Sequence, residues 1–262
     1  MKNNFISILI TNYNKQKFLD KCLDSIYKQS YNNYEIILFD DCSKDNSLDI
    51  IKKYKKVKLI KNKKRSNKSA PLNQINGIFR AFKKSRGNII CLMDADDYFV
   101  ENKLKIIDQK FKTKNISCLY NFPRTSKKQF IYRTKKYTND VWPIIFPTSC
   151  ISITRDSFKI FTKHLQKKKY LNLEIDVRLI IFFRFFLKEY NIIKKKLTIY
   201  NFDNNSITSK VKKYSTNWWV RRFEAFKYLE YILSKKNIKF KISIDYLVTV
   251  FFISIIKTFK LR

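Results

Sequence analysis

The chain has 262 residues, 45% hydrophobic and 16% aromatic, and carries 56 Lys and Arg against 21 Asp and Glu, a net charge of +35. That length and apolar content suit one large or two small packed domains and exclude a disordered polycation. With Gly77 and Gly87 its only glycines, the chain lacks the Gly-rich phosphate loops of P-loop and Rossmann proteins.

The N-terminal residues lead into an apolar run too short for a signal peptide. No segment reaches the ~20 apolar residues that span a bilayer, so the expected location is cytoplasmic. Phe5–Ile10, Glu35–Phe39, Val57–Ile60 and Ile89–Met93 are short runs apolar on both faces, as buried parallel strands require. Between them fall helical stripes: Phe18, Leu19, Cys22, Leu23 and Ile26; then Leu48, Ile51 and Tyr54; then Leu72, Ile75, Phe79 and Phe82. Strand–helix alternation over 5–110 predicts an α/β layer with a mostly parallel sheet. From about residue 112 the alternation fades. Residues 117–155 hold short β-like pieces, Leu173–Leu187 reads as an apolar helix, and Lys196–Ile207 as a last strand and turn. From Lys210 the chain is basic, aromatic and helical in pattern, with 13 Lys and Arg against 3 acids over 210–262.

Cys22, Cys42, Cys91, Cys118 and Cys150 form no CxxC pair, which argues against structural zinc and a disulfide framework and for a reducing compartment. His164 is the one histidine and, with no nucleophile elbow in the chain, reads as a surface or packing residue.

The acids are few, and two clusters follow predicted strands: Asp40, Asp41 and Asp45, and Asp94, Asp96 and Asp97. In open α/β sheets ligands bind outside the carboxyl ends of the strands. Clustered carboxylates repel unless a cation lies between them, and Mg²⁺ or Mn²⁺ there usually bridges to a phosphate. Asp96 or Asp97 would equally suit the cap of a helix over 101–111.

The order SILITNYNK, SIYKQSY, EIILFDDCSKDNS and SRGNIICLMDADDYFVENKL resembles family 2 glycosyltransferases of the GT-A fold, closely over residues 5–110 and loosely to about 225. The resemblance implies a nucleotide-sugar donor, usually a uridine one, and Mn²⁺ or Mg²⁺. Thr11, Tyr13 and Asp41 match the positions for base and ribose. Asp94 and Asp96 match the DxD, with Asp96 the direct metal ligand. Lys68 lies in a loop beside the donor, to meet a phosphate or to stand in solvent. Cys42 stands where the family usually has Gly, so the turn must avoid positive φ or accept strain. An inverting transfer needs a general base on the acceptor hydroxyl, and the resemblance implies an acid at the start of a helix well after the DxD. Asp176 is the choice, with Glu174 in reserve. Their spacing would place them on different helix sides, and the family's adjacent Glu-Asp pair is absent. Asp176 would otherwise be an exposed acid offsetting Arg178.

Asn204–Thr208 resembles the family's closing turn. Trp218, Trp219, Arg221 and Arg222 after it suit three roles: covering the site with an Arg on the diphosphate, a membrane-interface belt, or packing the last helix. Asp245–Ile256, flanked by Lys239, Lys241, Lys257, Lys260 and Arg262, suits an interfacial helix on an anionic leaflet, or a core helix or dimer contact. The expected division is 1–209 as a GT-A domain (1–110 for the donor, 111–209 for the acceptor) and 210–262 as a basic helical extension. The expected partners are a nucleotide-sugar, a glycan or lipid-linked glycan acceptor in surface polysaccharide or lipopolysaccharide assembly, and the inner face of the plasma membrane. The rival readings are a basic nucleic-acid-binding protein and an inactive family member acting as a scaffold. Lysines spread along the whole chain, with no RNP-like or KH-like signature, disfavour specific nucleic-acid binding.

Overall fold

The computed structural model describes residues 3–66, 69–113, 115–125, 146–201 and 211–260. Lys68, the turn Asn204–Thr208 and Arg262 lie outside them.

The first half alternates as its pattern predicts. β1 (Ile6–Asn12), α1 (Gln16–Tyr27), β2 (Tyr34–Asp40), α2 (Ser47–Lys52), β3 (Val57–Lys61), α3 (Ala70–Lys84) and β4 (Ile89–Asp94) follow in order. β1 pairs in parallel with β2 and β4, and β2 with β3. These strands read as continuous apolar runs because both faces are covered. Ile6, Ile8 and Ile10 pack toward α1, whereas Leu9 packs toward α3. α2 stops at Lys52, so Tyr54, read as its last stripe residue, lies beyond it and donates its hydroxyl to Asp20 and Asp24.

The second half is mixed. β5 (Tyr98–Phe99), α4 (Lys103–Thr113), β6 (Cys118–Thr125), a 3₁₀ turn (Thr148–Cys150), β7 (Ile151–Thr154), α5 (Arg155–His164), α6 (Ile175–Phe182) with a π turn (Phe183–Leu187), and β8 (Tyr190–Tyr200) complete one eight-stranded sheet, ordered β3-β2-β1-β4-β7-β6-β8-β5. β7 runs antiparallel to β4 and β6, and β8 parallel to β6. The last strand starts earlier than Lys196. Its exposed Lys194–Lys196 run hides the strand from a hydropathy reading, and its register against β6 shifts at Asn121–Pro123.

α7 (Thr216–Ser234) and α8 (Ile244–Lys260) form the C-terminal extension. α7 buries Phe226, Tyr228, Leu229 and Ile232 in the same core as α3, α5 and α6. α8 lies on α7, with Trp219 stacked on Phe252 at 4.2 Å between ring centroids.

Both glycines stand where a Cβ would collide with its neighbours. A Cβ at Gly77 would lie 2.5 Å from the Phe39 ring, and one at Gly87 would lie 2.5 Å from the Ser7 nitrogen. Gly77 thus lets α3 close onto the ends of β1 and β2. All five cysteines are free thiols, four of them buried. His164 packs on Phe186, with ring centroids 4.5 Å apart.

Candidate functional site

The parallel register sets the site. It pairs Thr11 of β1 with Asp94 of β4, and Asn12 with Asp40 of β2, so three strands end at one edge of the sheet. A cavity of about 900 Å³ opens there. Thr11, Tyr13, Asp41, Asp94, Asp96, Glu174 and Asp176 all line it.

The acids after β2 divide into scaffold and wall. Asp40 is buried and accepts from Asn12 Nδ2 at 2.8 Å, Ser43 N at 3.0 Å and Ser43 Oγ at 2.5 Å, which ties β1 to the turn. Asp45 accepts from Gln16 N at 2.9 Å and caps the start of α1. Cys42 does take a left-handed backbone, φ 62°, and its thiol meets the Asn62 carbonyl at 3.3 Å. A non-Gly residue there carries roughly 1–2 kcal/mol of strain. The turn leaves Asp41 on the cavity wall.

Arg65, which the sequence reading overlooked, lies on the two groups assigned to a base. Its Nε donates to Asp41 Oδ2 at 2.8 Å, and its guanidinium lies 3.6 Å from the Tyr13 ring centroid. Asn62 holds the other Asp41 oxygen at 2.7 Å. Arg65 had no visible signal, being one cation in the run Lys61–Arg65.

After β4, the acids take long-range partners instead of capping α4. Asp94 Oδ1 accepts from Gln74 at 2.7 Å and Thr11 at 3.3 Å, and its backbone N–H donates to Ser149 Oγ at 2.9 Å. Asp96 Oδ2 takes the Lys15 ammonium at 2.6 Å. Asp97 is fully buried and accepts from Asn201 N at 3.1 Å. Burial, and then the Asp96 charge, raise the Asp94 carboxyl to about 6, and the same two causes push Asp97 well up. Within the core, fully buried Lys103 donates to Ser149 O at 2.6 Å and Thr198 Oγ1 at 2.8 Å. Burial lowers its ammonium to about 8, while Cys150, Cys91 and Asp97 oppose that. Gln74 and Lys103 sit within ordinary helical patterns, so neither stood out in the sequence.

The donor set of Asp94 and Asp96 fits a divalent cation. Two neighbouring carboxylates, one of them already attracting an ammonium, need positive charge between them. Among the described residues no group of three or more His, Cys, Asp or Glu is placed to hold a metal ion. A hard cation held by one or two carboxylates would take its remaining oxygens from water and substrate phosphates.

At the start of α6, the expected separation of Glu174 and Asp176 does not hold. Glu174 precedes the helix in an extended conformation, φ −68° and ψ 160°, so helical spacing does not govern it and both acids reach the cavity. Glu174 is 5% exposed and forms an ion pair with Arg221 of α7. Burial raises its carboxyl, and Arg221 opposes that. Asp176 accepts from the Val177 N–H at 2.8 Å. Burial and then Glu174 raise it to about 7. Arg178 does not offset Asp176; it is buried and donates to the carbonyls of Leu165, Tyr170 and Leu173.

Trp218, Trp219, Arg221 and Arg222 do not line the cavity. Trp219 packs α7 on α8, Arg222 pairs with Asp245 and lies 4.7 Å from the Trp218 ring, and Arg221 holds Glu174.

A parallel half whose strand ends carry paired acids above an open cavity, continued by a mixed half and covering helices, defines the GT-A class of α/β proteins. The sequence matches the family described as Glycosyl transferase family 2 over residues 7–191, and the chain belongs to that family. Among solved structures, Staphylococcus aureus TarS 1–349 in complex with UDP-GlcNAc superposes with a TM-score of 0.67 at 15% identity, covering 86% of this chain and 66% of that one. The mannosyltransferase PcManGT of Pyrobaculum calidifontis, in complex with GDP-Man and Mn²⁺, superposes at 0.55 and 16% identity, covering 93% and 67%. These likenesses are of fold. In sequence, the Escherichia coli UDP-Glc:alpha-D-GlcNAc-diphosphoundecaprenol beta-1,3-glucosyltransferase WfgD is 28% identical over 122 residues, 46% of each chain. The chain spans less than half the length of the curated relatives it matches.

Proposed function

We propose that the protein is a metal-dependent glycosyltransferase that moves a sugar from a nucleotide-sugar, uridine-linked, to a glycan or lipid-linked glycan acceptor. It works in surface polysaccharide or lipopolysaccharide assembly, as a peripheral protein on the inner face of the plasma membrane. The observation that carries this reading is the single cavity that gathers Thr11, Tyr13, Asp41, Asp94 and Asp96 with the raised carboxyl of Asp176. Relatives and fold neighbours named for UDP-sugars, a diphosphoundecaprenol acceptor and Mn²⁺ support the donor, acceptor and metal. Residues 1–110 form the donor half, 111–209 the acceptor half and 210–262 the extension.

Tyr13 and Asp41 hold the base: the ring stacks on it and the carboxylate accepts its imide N–H. Arg65, lying on both groups, must move aside or join the base when the donor binds. Thr11 and Gln74 orient Asp94. A Mn²⁺ or Mg²⁺ held by Asp96 and Asp94 would neutralise the departing nucleoside diphosphate as a Lewis acid. Asp176 accepts the proton of the acceptor hydroxyl as that oxygen bonds to the anomeric carbon. The bond from that carbon to the diphosphate breaks, and the configuration inverts.

Asp96→Asn tests the metal role. Release of UDP from a UDP-sugar with acceptor present should fall about a hundredfold or more, with the protein still folded. Unchanged, metal-stimulated turnover in the variant would remove Asp96 from that role.

A further inference from the structure

α8 has two apolar faces, and one of them is covered. Thr249 and Ile253 point into the protein, where Trp219 and Phe226 of α7 meet Phe252 and Tyr246. On the other side Ile244 is 81% exposed, Leu247 55%, Phe251 59% and Phe259 74%. Their positions, with Val248 between them, fall on one stripe at helical spacing. That stripe contains no charged residue: the one acid of the helix, Asp245, is turned to Arg222. No helix among the described residues is long and apolar enough to cross a membrane. An uncharged apolar stripe of this kind marks an interaction surface.

The surroundings of the stripe select its occupant. The connection from α7 to α8 alternates exposed lysines, Lys235, Lys236, Lys239 and Lys241, with exposed Ile238 and Ile242, and exposed Lys257 lies on the helix itself. The acids of this region are already engaged: Glu224 by Asn172, Glu230 by Lys227 and Asp245 by Arg222. A second copy meeting it through the same face would bring the same lysines, and the acids of that face are already engaged. An anionic bilayer supplies both an apolar layer for the stripe and negative headgroups for the lysines.

We infer that the outer face of α8 is a membrane-docking surface, lying in the headgroup layer of an anionic leaflet with the lysines of the α7–α8 connection on its rim. This deepens the peripheral location proposed above and rests on it, but not on the sugar chemistry. Because α7 carries Arg222 to α8 and Arg221 to Glu174, the docked helix is joined to the cavity by one rigid element.

The test is co-sedimentation with vesicles of phosphatidylcholine containing about one-third phosphatidylglycerol. Leu247→Glu with Phe251→Glu should weaken binding about a hundredfold, near tenfold for each exposed apolar side chain withdrawn from the layer. The melting temperature should not change, because both residues already face solvent. Replacing Lys235, Lys236, Lys239 and Lys241 by Gln should abolish the preference for anionic over neutral vesicles. Wild-type-like binding by the Glu variant would overturn the assignment of the surface and leave the location standing. No binding by the wild type would overturn both. A wild-type dimer in light scattering that the Glu variant dissociates, with vesicle binding intact, would give the stripe to a second copy and overturn the inference.

Discussion

Asp94 with Asp96, in the first half of the chain, and Glu174 with Asp176, in the second, are two carboxylate pairs on one cavity, and each is divided in the same way. One member takes a cation, Lys15 on Asp96 and Arg221 on Glu174, while the other is left raised, Asp94 to about 6 and Asp176 to about 7. The pairs differ in how the raised member is held. Gln74 and Thr11 donate to Asp94 and favour its charged form. Asp176 has the Val177 N–H, with the Glu174 charge beside it, and comes to rest where a proton leaves and returns near neutral pH. On the function proposed above, the better-donated member, Asp94, would suit holding a cation, and the member with the single Val177 donor, Asp176, would suit accepting a proton.

The largest effect that can break this comparison is removal of the proposed proton acceptor. Asp176→Asn should cut transfer by about 10²–10⁴ while leaving donor binding within about twofold. The fold should be at least as stable, since a charge disfavoured by its surroundings and by Glu174 is lost. Equal loss of donor binding would place Asp176 with the donor acids and collapse the distinction; a loss seen only in Glu174→Gln would move the base to Glu174.

The pH profile sharpens it further. A base with its carboxyl at about 7 is protonated and idle at pH 5, and becomes competent as pH rises through 7. Transfer should therefore climb between about pH 6 and 8 and then level off. Glu174→Gln removes the charge that raises Asp176 and frees Arg221 to lower it. Both changes act in one direction, so the acid limb should move down by about one pH unit. An acid limb that stays in place, measured as kcat against pH, would show that Glu174 does not tune Asp176.

The two halves also differed in how far the sequence exposed them. β1 to β4 are legible because parallel strands buried on both faces leave unbroken apolar runs, and because the acids of the site follow those runs directly. The two acid clusters stand out that way, the resemblance singles out Asp41, Asp94 and Asp96 within them, and all three line the cavity. β8 was misplaced because an exposed Lys194–Lys196 run lies inside a strand whose pairing with β6 is a long-range property. The helical spacing applied to Glu174 and Asp176 failed because the helix begins one residue after Glu174. Arg65, Gln74, Lys103 and Arg221 acquire their meaning from partners 20 to 95 residues away, such as Asp94 for Gln74 and Thr198 for Lys103, and no local pattern marks such contacts. For Trp219 and Arg222 the sequence left three roles open; their side chains join α7 to α8.

The smallest perturbation and the most direct test is to add the donor's nucleotide and watch the fold. Melting temperature would be measured with UDP, GDP, CDP and dTDP, each with and without Mn²⁺. A ligand that binds the folded state at about 100 times its Kd adds about 2.7 kcal/mol, a shift of several degrees. The account predicts that UDP stabilises the protein only when Mn²⁺ is present, and that Asp96→Asn erases the shift. No shift with any nucleotide, or a UDP shift indifferent to both the metal and Asp96, would contradict it.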